Sequence, residues 1–311
     1  VPWPTPRFTD NGNGTVTDNL TDLIWLKNAN RFGEVTWEQA LIIAKNLAGG
    51  HSGLSDGSQP GQWRLPNINE LQSLMHLDNL SGPALPAGHP FVNLQAANYW
   101  SSTTVASAPP LGWYVALAVG PPVFDLKVNL MRMWPVRGTG RIAQTGLKNC
   151  YDAFGQPISC DGTGQDGDIQ AGVPFPTPRF TDNGNGTVTD NLTGLIWLKN
   201  AHSFGTRSWD QALHDCNSLA SGSHGLTDGS TPGTWRLPNV NELRSLVDYS
   251  KHSPTLADGH PFINVQPTLY WSSTTVPSAP NLARFLFIGL GSCVWDHKSV
   301  LMCVWPVKGG R

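Results

Sequence analysis

The sequence has few charged residues and no long apolar run. Charged residues make up 14% of the 311 residues, and the formal net charge is −2. A chain this close to neutral has no general electrostatic attraction to nucleic acid or to anionic membranes. No apolar stretch approaches the roughly 20 residues that a membrane-spanning helix requires. The composition therefore predicts neither a nucleic-acid partner nor a membrane span.

Signatures of catalysis are also missing. No set of nucleophile, base and acid recurs in both halves of the chain, and the GTGQDG stretch does not join a strand to a helix as a phosphate-binding loop would. His89 and His260 are the only histidines at matched positions, and each precedes a proline, which favours a structural role. The sequence predicts a protein that is not an enzyme and that has no cofactor, with calcium kept open.

Cysteine is scarce, and its five positions are uneven: Cys150, Cys160, Cys216, Cys293 and Cys303. Cys150 and Cys160 flank the stretch CYDAFGQPISC, which favours a local disulfide over two reduced thiols. No CxxC motif and no zinc-like Cys/His spacing is present, so an oxidising compartment is the better interpretation. Because the sequence opens on Val1 rather than methionine, we expect a secreted or cell-surface protein after removal of a signal peptide.

What the sequence does contain is an internal duplication. The stretch PTPRFTDNGNGTVTDNLTDLIWLKNA begins at Pro4 and returns at Pro176 with a single change, Asp22 to Gly194. A period this long indicates two whole domains rather than a solenoid. We therefore predict a first domain over 1–138, a disulfide-stapled linker over 139–175 and a second domain over 176–311.

The pattern within one copy predicts an α+β fold. The stretch RFTDNGNGTVTDN indicates two short strands around an Asn-Gly turn. Two helices follow, and each begins with the residues of a capping box: Thr36/Gln39 and Asn67/Glu70, repeated as Ser208/Gln211 and Asn239/Glu242. The rest alternates as short strands separated by Gly and Pro.

The motifs WRLPNVNEL, YWSSTT and WPVKGG follow one another in this order, and near-identical versions occur in the first copy. In these motifs the chain resembles the C-terminal domain family of the Legionella collagen-like protein, which has a C-type-lectin-like fold. The resemblance implies two helices packed on a twisted antiparallel sheet in each copy. It also implies secretion, adhesion and carbohydrate binding at the bacterial surface.

The resemblance further implies a disulfide from the first helix to a position near the last strand. Cys216 lies in that helix, and Cys303 is near its expected partner. A bridge between Cys293 and Cys303 across a hairpin is the alternative, and we favour it slightly. The more distantly similar formylglycine-generating enzymes use a cysteine pair, and neither copy has two equivalent cysteines.

Oxygen-bearing residues gather in the repeated hairpin and make calcium the one candidate metal. The candidate ligands are Asp10, Asn13 and Asp18, with Asp182, Asn185 and Asp190 in the second copy. The alternative is a turn in which Asn and Gly supply positive φ, and the EF-hand pattern fails because Gly12 and Gly14 stand at ligand positions.

The aromatic residues divide into a constant set and a variable set. Matched tryptophans predict a core: Trp25/Trp197, Trp37/Trp209, Trp63/Trp235, Trp100/Trp271 and Trp134/Trp305. The tails of the copies differ, and in a lectin-like fold they would present the ligand surface. Candidate contacts are Trp113, Tyr114, Phe124, Arg284, Phe285 and Trp295, with ordinary sheet packing as the alternative. The loops 79–87 and 250–258 also differ.

Together these features predict a secreted, non-catalytic binding or adhesion protein. Its partner would be a glycan or a protein at the cell surface, recognised through the variable C-terminal faces. The alternative function is a structural subunit that self-assembles into an extracellular filament, sheath or surface layer.

Overall fold

The computed structural model describes residues 3–76, 83–118, 120 and 122–309. The variable loop 79–87 lies partly outside these residues. The chain forms two compact units, Val1–Pro174 and Phe175–Arg311, which we call unit 1 and unit 2. Over the described ranges, no helix has the length and apolar character needed to cross a bilayer.

The elements of unit 1 are β1 (Phe8–Asp10), β2 (Thr15–Asp18), β3 (Leu23–Leu26), β4 (Glu34–Val35), α1 (Trp37–Asn46), α2 (Ile68–Ser73), β5 (Asn98–Thr104), β6 (Leu111–Ala116), β7 (Pro122–Leu126), β8 (Met131–Arg132), β9 (Val136–Arg137), β10 (Cys150–Tyr151), β11 (Pro157–Ile158) and α3 (Asp166–Ile169). Those of unit 2 are β12 (Phe180–Asp182), β13 (Thr187–Asp190), β14 (Leu195–Leu198), β15 (Thr206–Arg207), α4 (Trp209–Ser218), α5 (Val240–Ser245), β16 (Leu269–Val276), β17 (Ala279–Phe287), β18 (Ser292–His297), β19 (Met302–Cys303) and β20 (Val307–Gly309). The predicted α+β class and the duplication are both confirmed.

Each unit repeats the same two sheets. A four-stranded sheet runs β1-β2-β3-β9 in unit 1 and β12-β13-β14-β20 in unit 2. A five-stranded sheet runs β4-β8-β5-β6-β7 in unit 1 and β15-β19-β16-β17-β18 in unit 2. β9 pairs with β3, and β20 pairs with β14, so the two ends of the repeat meet in one sheet in each unit.

The predicted hairpin is present in both units. β1 pairs with β2 so that Asp10 faces Val16, and the turn between them places Gly14 at a φ of +85°. A Cβ on Gly14 would lie 2.2 Å from the carbonyl oxygen of Gly53, and one on Gly186 would lie equally close to that of Gly225. The turn therefore needs glycine both for its backbone angle and for its contact with the next loop.

The predicted capping boxes start all four main helices. At α2, the Asn67 side chain accepts the amide of Glu70 at 3.0 Å, and the Glu70 carboxylate accepts the amide of Asn67 at 2.9 Å. The amide of Ile68 donates to Thr103 Oγ1 at 2.9 Å, which ties the start of α2 to strand β5. The cap thus fixes both the beginning of the helix and its position on the sheet.

Nine of the ten matched tryptophans are buried, which confirms the predicted core. Most of their indole N–H groups donate to fixed acceptors, such as Trp134 to Leu26 O at 2.7 Å and Trp37 to Ser101 O at 2.7 Å. The exception to burial is Trp209, which remains partly exposed although its counterpart Trp37 is fully covered.

Lys127 lies over the ring of Trp37 and donates to the carbonyls of Tyr151 and Asp152, which belong to the segment that we predicted to be a linker. Residues 139–174 belong to unit 1, and β10 and β11 form a small hairpin closed by the predicted Cys150–Cys160 disulfide. The segment is anchored by the Asp166 carboxylate, which accepts hydrogen bonds at 2.7 Å from both Thr103 and Thr145. Asn67 Nδ2 also donates to the carbonyl of Ala171 at 3.1 Å.

The predicted Cys293–Cys303 disulfide is wrong, and Cys216 is not bridged to Cys303 either. All three are free and buried thiols. Cys293 lies on β18 and Cys303 on β19, and strands β16 and β17 lie between them in the sheet. Strands lie about 4.8 Å apart, so the two Cα atoms are separated by well over the roughly 7 Å that a disulfide can span.

We expect three free thiols in the unreduced protein. Alkylation after unfolding without a reductant would add three groups, at Cys216, Cys293 and Cys303, and leave the Cys150–Cys160 peptide pair linked. Peptide mass spectrometry measures this directly. If only one group were added, two of these three cysteines would form a disulfide, and the result would contradict the structure.

We also predict that the attachment of residues 139–174 weakens as the pH rises. Burial raises the pKa of Asp166 to about 6, although hydrogen bonds from Thr103 and Thr145 lower it; Glu70 raises it further and Arg64 lowers it. Because this pKa is above the unfolded value of 3.8, the contribution is complete below that value and is lost as the pH rises through about 6.

Hydrogen exchange, corrected for the intrinsic rate, would show at least about tenfold less protection of 139–174 at about pH 7 than at about pH 4. Asp166→Asn would remove most of that difference. The control is Asp161→Asn, which changes an exposed carboxylate in the same segment. An unchanged pH dependence in Asp166→Asn would contradict the prediction.

Candidate functional site

The structure divides the six predicted ligand contacts into two groups. Trp113, Arg284 and Phe285 are buried, so they offer no surface to a ligand. Tyr114, Phe124 and Trp295 keep partial exposure. For the first three the prediction is wrong, because strands β6 and β17 are interior strands whose side chains pack under their neighbours.

Cross-strand pairing explains this burial. Trp113 lies opposite Phe124, with ring centroids 5.3 Å apart, and at the same position in unit 2 the Arg284 guanidinium lies 5.7 Å from the ring of Trp295. Each copy thus keeps a large side chain paired across the same two strands. The variable aromatic residues mainly pack the sheet, as the alternative interpretation held.

The variable tail of unit 1 does shape a surface groove beside these strands. The groove has a volume of about 510 Å³. It is lined by Glu34, Ala97, Asn98, Asp125, Asn129, Leu130 and Met131. Four of its seven lining residues carry polar side chains, so the groove suits the polar end of a larger ligand.

Internal contacts hold the polar groups of the groove in place. Asp125 Oδ1 accepts the amide of Leu126 at 2.7 Å and the side-chain amide of Asn129 at 2.9 Å. Glu34 lies 3.5 Å from Arg132, which in turn donates to Asn30 at 2.9 Å. The carboxylates therefore sit on short, anchored strands and turns, which lowers the entropy that ligand binding would cost.

The same positions in unit 2 carry different chemistry. Thr206, Leu269 and Val300 stand where unit 1 has Glu34, Asn98 and Asn129, whereas Asp296 matches Asp125. The sequence analysis points to the variable tails of the two copies, but it selects their aromatic residues as the ligand contacts. The residues it missed are polar, and the signal that could have identified two of them, Asn98 and Asn129, is their replacement by apolar Leu269 and Val300 in the second copy.

The predicted calcium ligands are engaged within the hairpins. Asp10 pairs with Lys27 at 2.6 Å, and this hydrogen bond lowers its pKa; Asp18 holds the buried Arg7 at 2.7 Å, and Asn13 Oδ1 accepts from Thr15. The second copy repeats these contacts at Asp182, Asp190 and Asn185. In the ranges that the structure covers, no three His, Cys, Asp or Glu side chains gather as a metal site would require.

One Cys–His contact is present in unit 2 and has no counterpart in unit 1. Cys303 Sγ lies 3.3 Å from His202 Nδ1, where unit 1 has Arg132 and Asn30. Burial raises the pKa of the Cys303 thiol to about 11, which favours the protonated form over a nucleophilic thiolate.

Burial also lowers the pKa of His89 and of His260, each of which lies beside a phenylalanine ring.

Comparison with known proteins agrees with the duplication. The family model described as the Lcl C-terminal domain matches residues 14–137 and again residues 186–308. A search of the curated proteins finds no match. The two matched stretches include the second strand of each hairpin, both pairs of main helices and the groove, and together they make up well over half of the chain. The chain therefore belongs to the Lcl C-terminal domain family and carries two tandem copies of that domain.

Proposed function

We propose that this protein is an extracellular, non-catalytic binding protein that acts in adhesion. In this proposal unit 1 has a C-type-lectin-like arrangement and holds a glycan in the groove between β4, β5 and the β7–β8 turn. The observation that carries the proposal is the set of carboxylate and amide side chains, Glu34, Asn98, Asp125 and Asn129, that line one groove.

The chemistry of these groups suits the hydroxyls of a neutral sugar. Carboxylate oxygens accept hydrogen bonds from hydroxyls, and side-chain amides both donate and accept. The exposed apolar side chain of Leu130 suits the C–H face of a sugar ring. A sulfated glycan is a poorer candidate because two of the four polar side chains are acidic and the chain as a whole is nearly neutral.

We further propose that binding needs no calcium. Calcium-dependent recognition would require oxygen ligands that are free to coordinate the ion. The candidate oxygens of Asp10, Asn13 and Asp18 are engaged with Gly12, Lys27, Thr15 and Arg7. A glycan signal that survives chelation with EDTA is the expected result.

We predict that residues taken from unit 2 weaken glycan binding when placed in unit 1. Asn98→Leu and Asn129→Val would each weaken glycan binding by about tenfold or more, because each removes a hydrogen-bonding group from the groove. Binding of the full chain to a glycan array identifies the ligand, and titration calorimetry with that ligand measures the loss.

Asp296→Asn is the matched control for Asp125→Asn. Both aspartates accept the next backbone amide at 2.7 Å, but only Asp125 lines the groove. We expect Asp125→Asn to weaken binding and Asp296→Asn to leave it unchanged. If no glycan on the array binds, or if both variants lose equal glycan affinity, the glycan proposal is overturned and a protein partner is favoured.

A further inference from the structure

The face that residues 139–174 cover in unit 1 is repeated in unit 2. We call this surface the docking face. In unit 1 it comprises Trp37, Asn67, Asn69, Thr103 and Lys127, and in unit 2 it comprises Trp209, Asn239, Asn241, Thr274 and Lys298. The residue types are identical at all five positions, although the two domains diverge elsewhere.

The two copies of the docking face differ in exposure. In unit 1, Trp37, Thr103 and Lys127 are 0% exposed and Asn67 is 1% exposed. In unit 2, Asn239 and Asn241 are exposed, and the other three residues are partly exposed. At the edge of the face, the Arg64–Glu70 pair has side-chain exposures of 11% and 0%, against 44% and 16% for Arg236–Glu242. The two units therefore differ in whether a segment covers the docking face, and not in the residues that form the face.

The exposed face is held in the same geometry as the covered one. Asn239 Oδ1 accepts the amide of Glu242 at 3.0 Å, and Thr274 Oγ1 accepts the amide of Val240 at 3.0 Å, as Asn67 and Thr103 do in unit 1. Lys298 Nζ lies 3.8 Å from the ring centre of Trp209, as Lys127 lies 4.1 Å from that of Trp37. The face is thus preformed, and its fixed side chains would lose little entropy on binding.

In unit 1 the face donates hydrogen bonds and the segment accepts them. Asn67 Nδ2 donates to Ala171 O, and Asn69 Nδ2 donates to Ala143 O, both at 3.1 Å. Lys127 Nζ donates at 3.3 Å to the carbonyls of Tyr151 and Asp152. Most of these acceptors are backbone carbonyls, so recognition depends on the shape of the segment more than on its sequence.

The one side-chain acceptor and the charge of the segment add specificity. Thr103 accepts from Ile68 and donates its own proton to Asp166, so Thr274 has the same hydroxyl hydrogen to offer. The segment carries four aspartates against one arginine and one lysine. Unit 2 has Arg244 where unit 1 has Gln72, which adds a positive charge beside a face suited to an acidic occupant.

We propose that the docking face of unit 2 binds a segment of the 139–174 type brought by another polypeptide: an acidic, disulfide-stapled hairpin followed by a turn with a buried aspartate. Such a contact would join this chain, through its unit 2, to the polypeptide that carries the segment. It uses a surface of unit 2 distinct from the groove of unit 1, and it does not depend on glycan binding.

Three replacements narrow what the occupant offers. Gly194 stands where Asp22 of unit 1 pairs with Arg141 of the segment. Asn217 stands where Lys45 of unit 1 donates to Gly162 O at 2.6 Å, and Asn281 stands where Pro110 of unit 1 lies within 2.6 Å of the position that a Cβ on Gly155 would take. The contacts whose residue types recur in unit 2 are those of the five docking-face residues, and the replaced ones involve residues outside that set. The 139–174 peptide should therefore bind unit 2, more weakly than a natural occupant matched to Asn217 and Asn281.

The test uses the full chain and a synthetic, oxidised peptide of residues 139–174. Titration calorimetry should detect binding of one peptide per chain. Hydrogen exchange should show new protection within 207–218, 238–246 and 271–276 of unit 2, with unit 1 unchanged. Absence of binding at about millimolar peptide, where free energies near 4 kcal/mol are still measurable, would overturn the proposal. Protection confined to unit 1, from exchange with its resident segment, would also overturn it.

Variants of the face separate docking from non-specific binding. Asn239→Asp keeps the oxygen that caps α5 and removes the amide donor, and Lys298→Met keeps an apolar chain over Trp209 and removes the ammonium. Each should weaken peptide binding by about tenfold. Asp166→Asn within the peptide should do the same.

The control is Lys199→Met, which removes a lysine paired with Asp182 in the hairpin of unit 2. This variant should bind the peptide as the parent chain does. Unfolding temperatures check that all variants fold. Equal affinity for all the variants would show that the peptide binds elsewhere and would overturn the assignment.

Discussion

The third and last strands of each domain pair with one another, and this pairing closes the fold. Trp25 lies opposite Val136 in unit 1, and Trp197 lies opposite Val307 in unit 2. The neighbouring indoles, Trp134 and Trp305, donate to the carbonyls of Leu26 and Leu198. The chain between these two strands is therefore held at both ends in one sheet. The aromatic core is buried where the two strands pair.

A scaffold closed in this way allows the residues of the intervening chain to vary without loss of the fold. The two units share their hairpins, capping boxes and core tryptophans, yet the groove of unit 1 has polar residues where unit 2 has Leu269 and Val300. The aromatic pair Trp113–Phe124 and the cation–π pair Arg284–Trp295 show the same freedom within the sheet, because either pair packs across the same two strands. Binding chemistry can thus differ between copies that have the same core.

The segment after the first copy shows how such a domain acquires a partner. It is held by a buried aspartate, by backbone carbonyls and by a lysine that lies over an indole. Burial lowers the pKa of Lys127 to about 8, so the lysine remains a cation at neutral pH and keeps both of its carbonyl acceptors. The same receiving groups recur on unit 2. A surface that holds a neighbouring part of its own chain in unit 1 has, in unit 2, the same groups with which to hold a similar segment from another chain.

The sequence by itself determined the local features of this protein. Duplication, hairpin turns, capping boxes, the Cys150–Cys160 disulfide and the core role of the tryptophans each depend on residues close together in the chain or on identity between the copies. Strand order was decided only in the tertiary structure. It places two strands between Cys293 and Cys303, buries Trp113 and Arg284, brings Glu34 to Asp125, and places 139–174 on unit 1 instead of between two domains. These relations join residues far apart in sequence, and a pattern with a period of two or of 3.6 residues fixes which face a side chain takes but not which strand lies beside it.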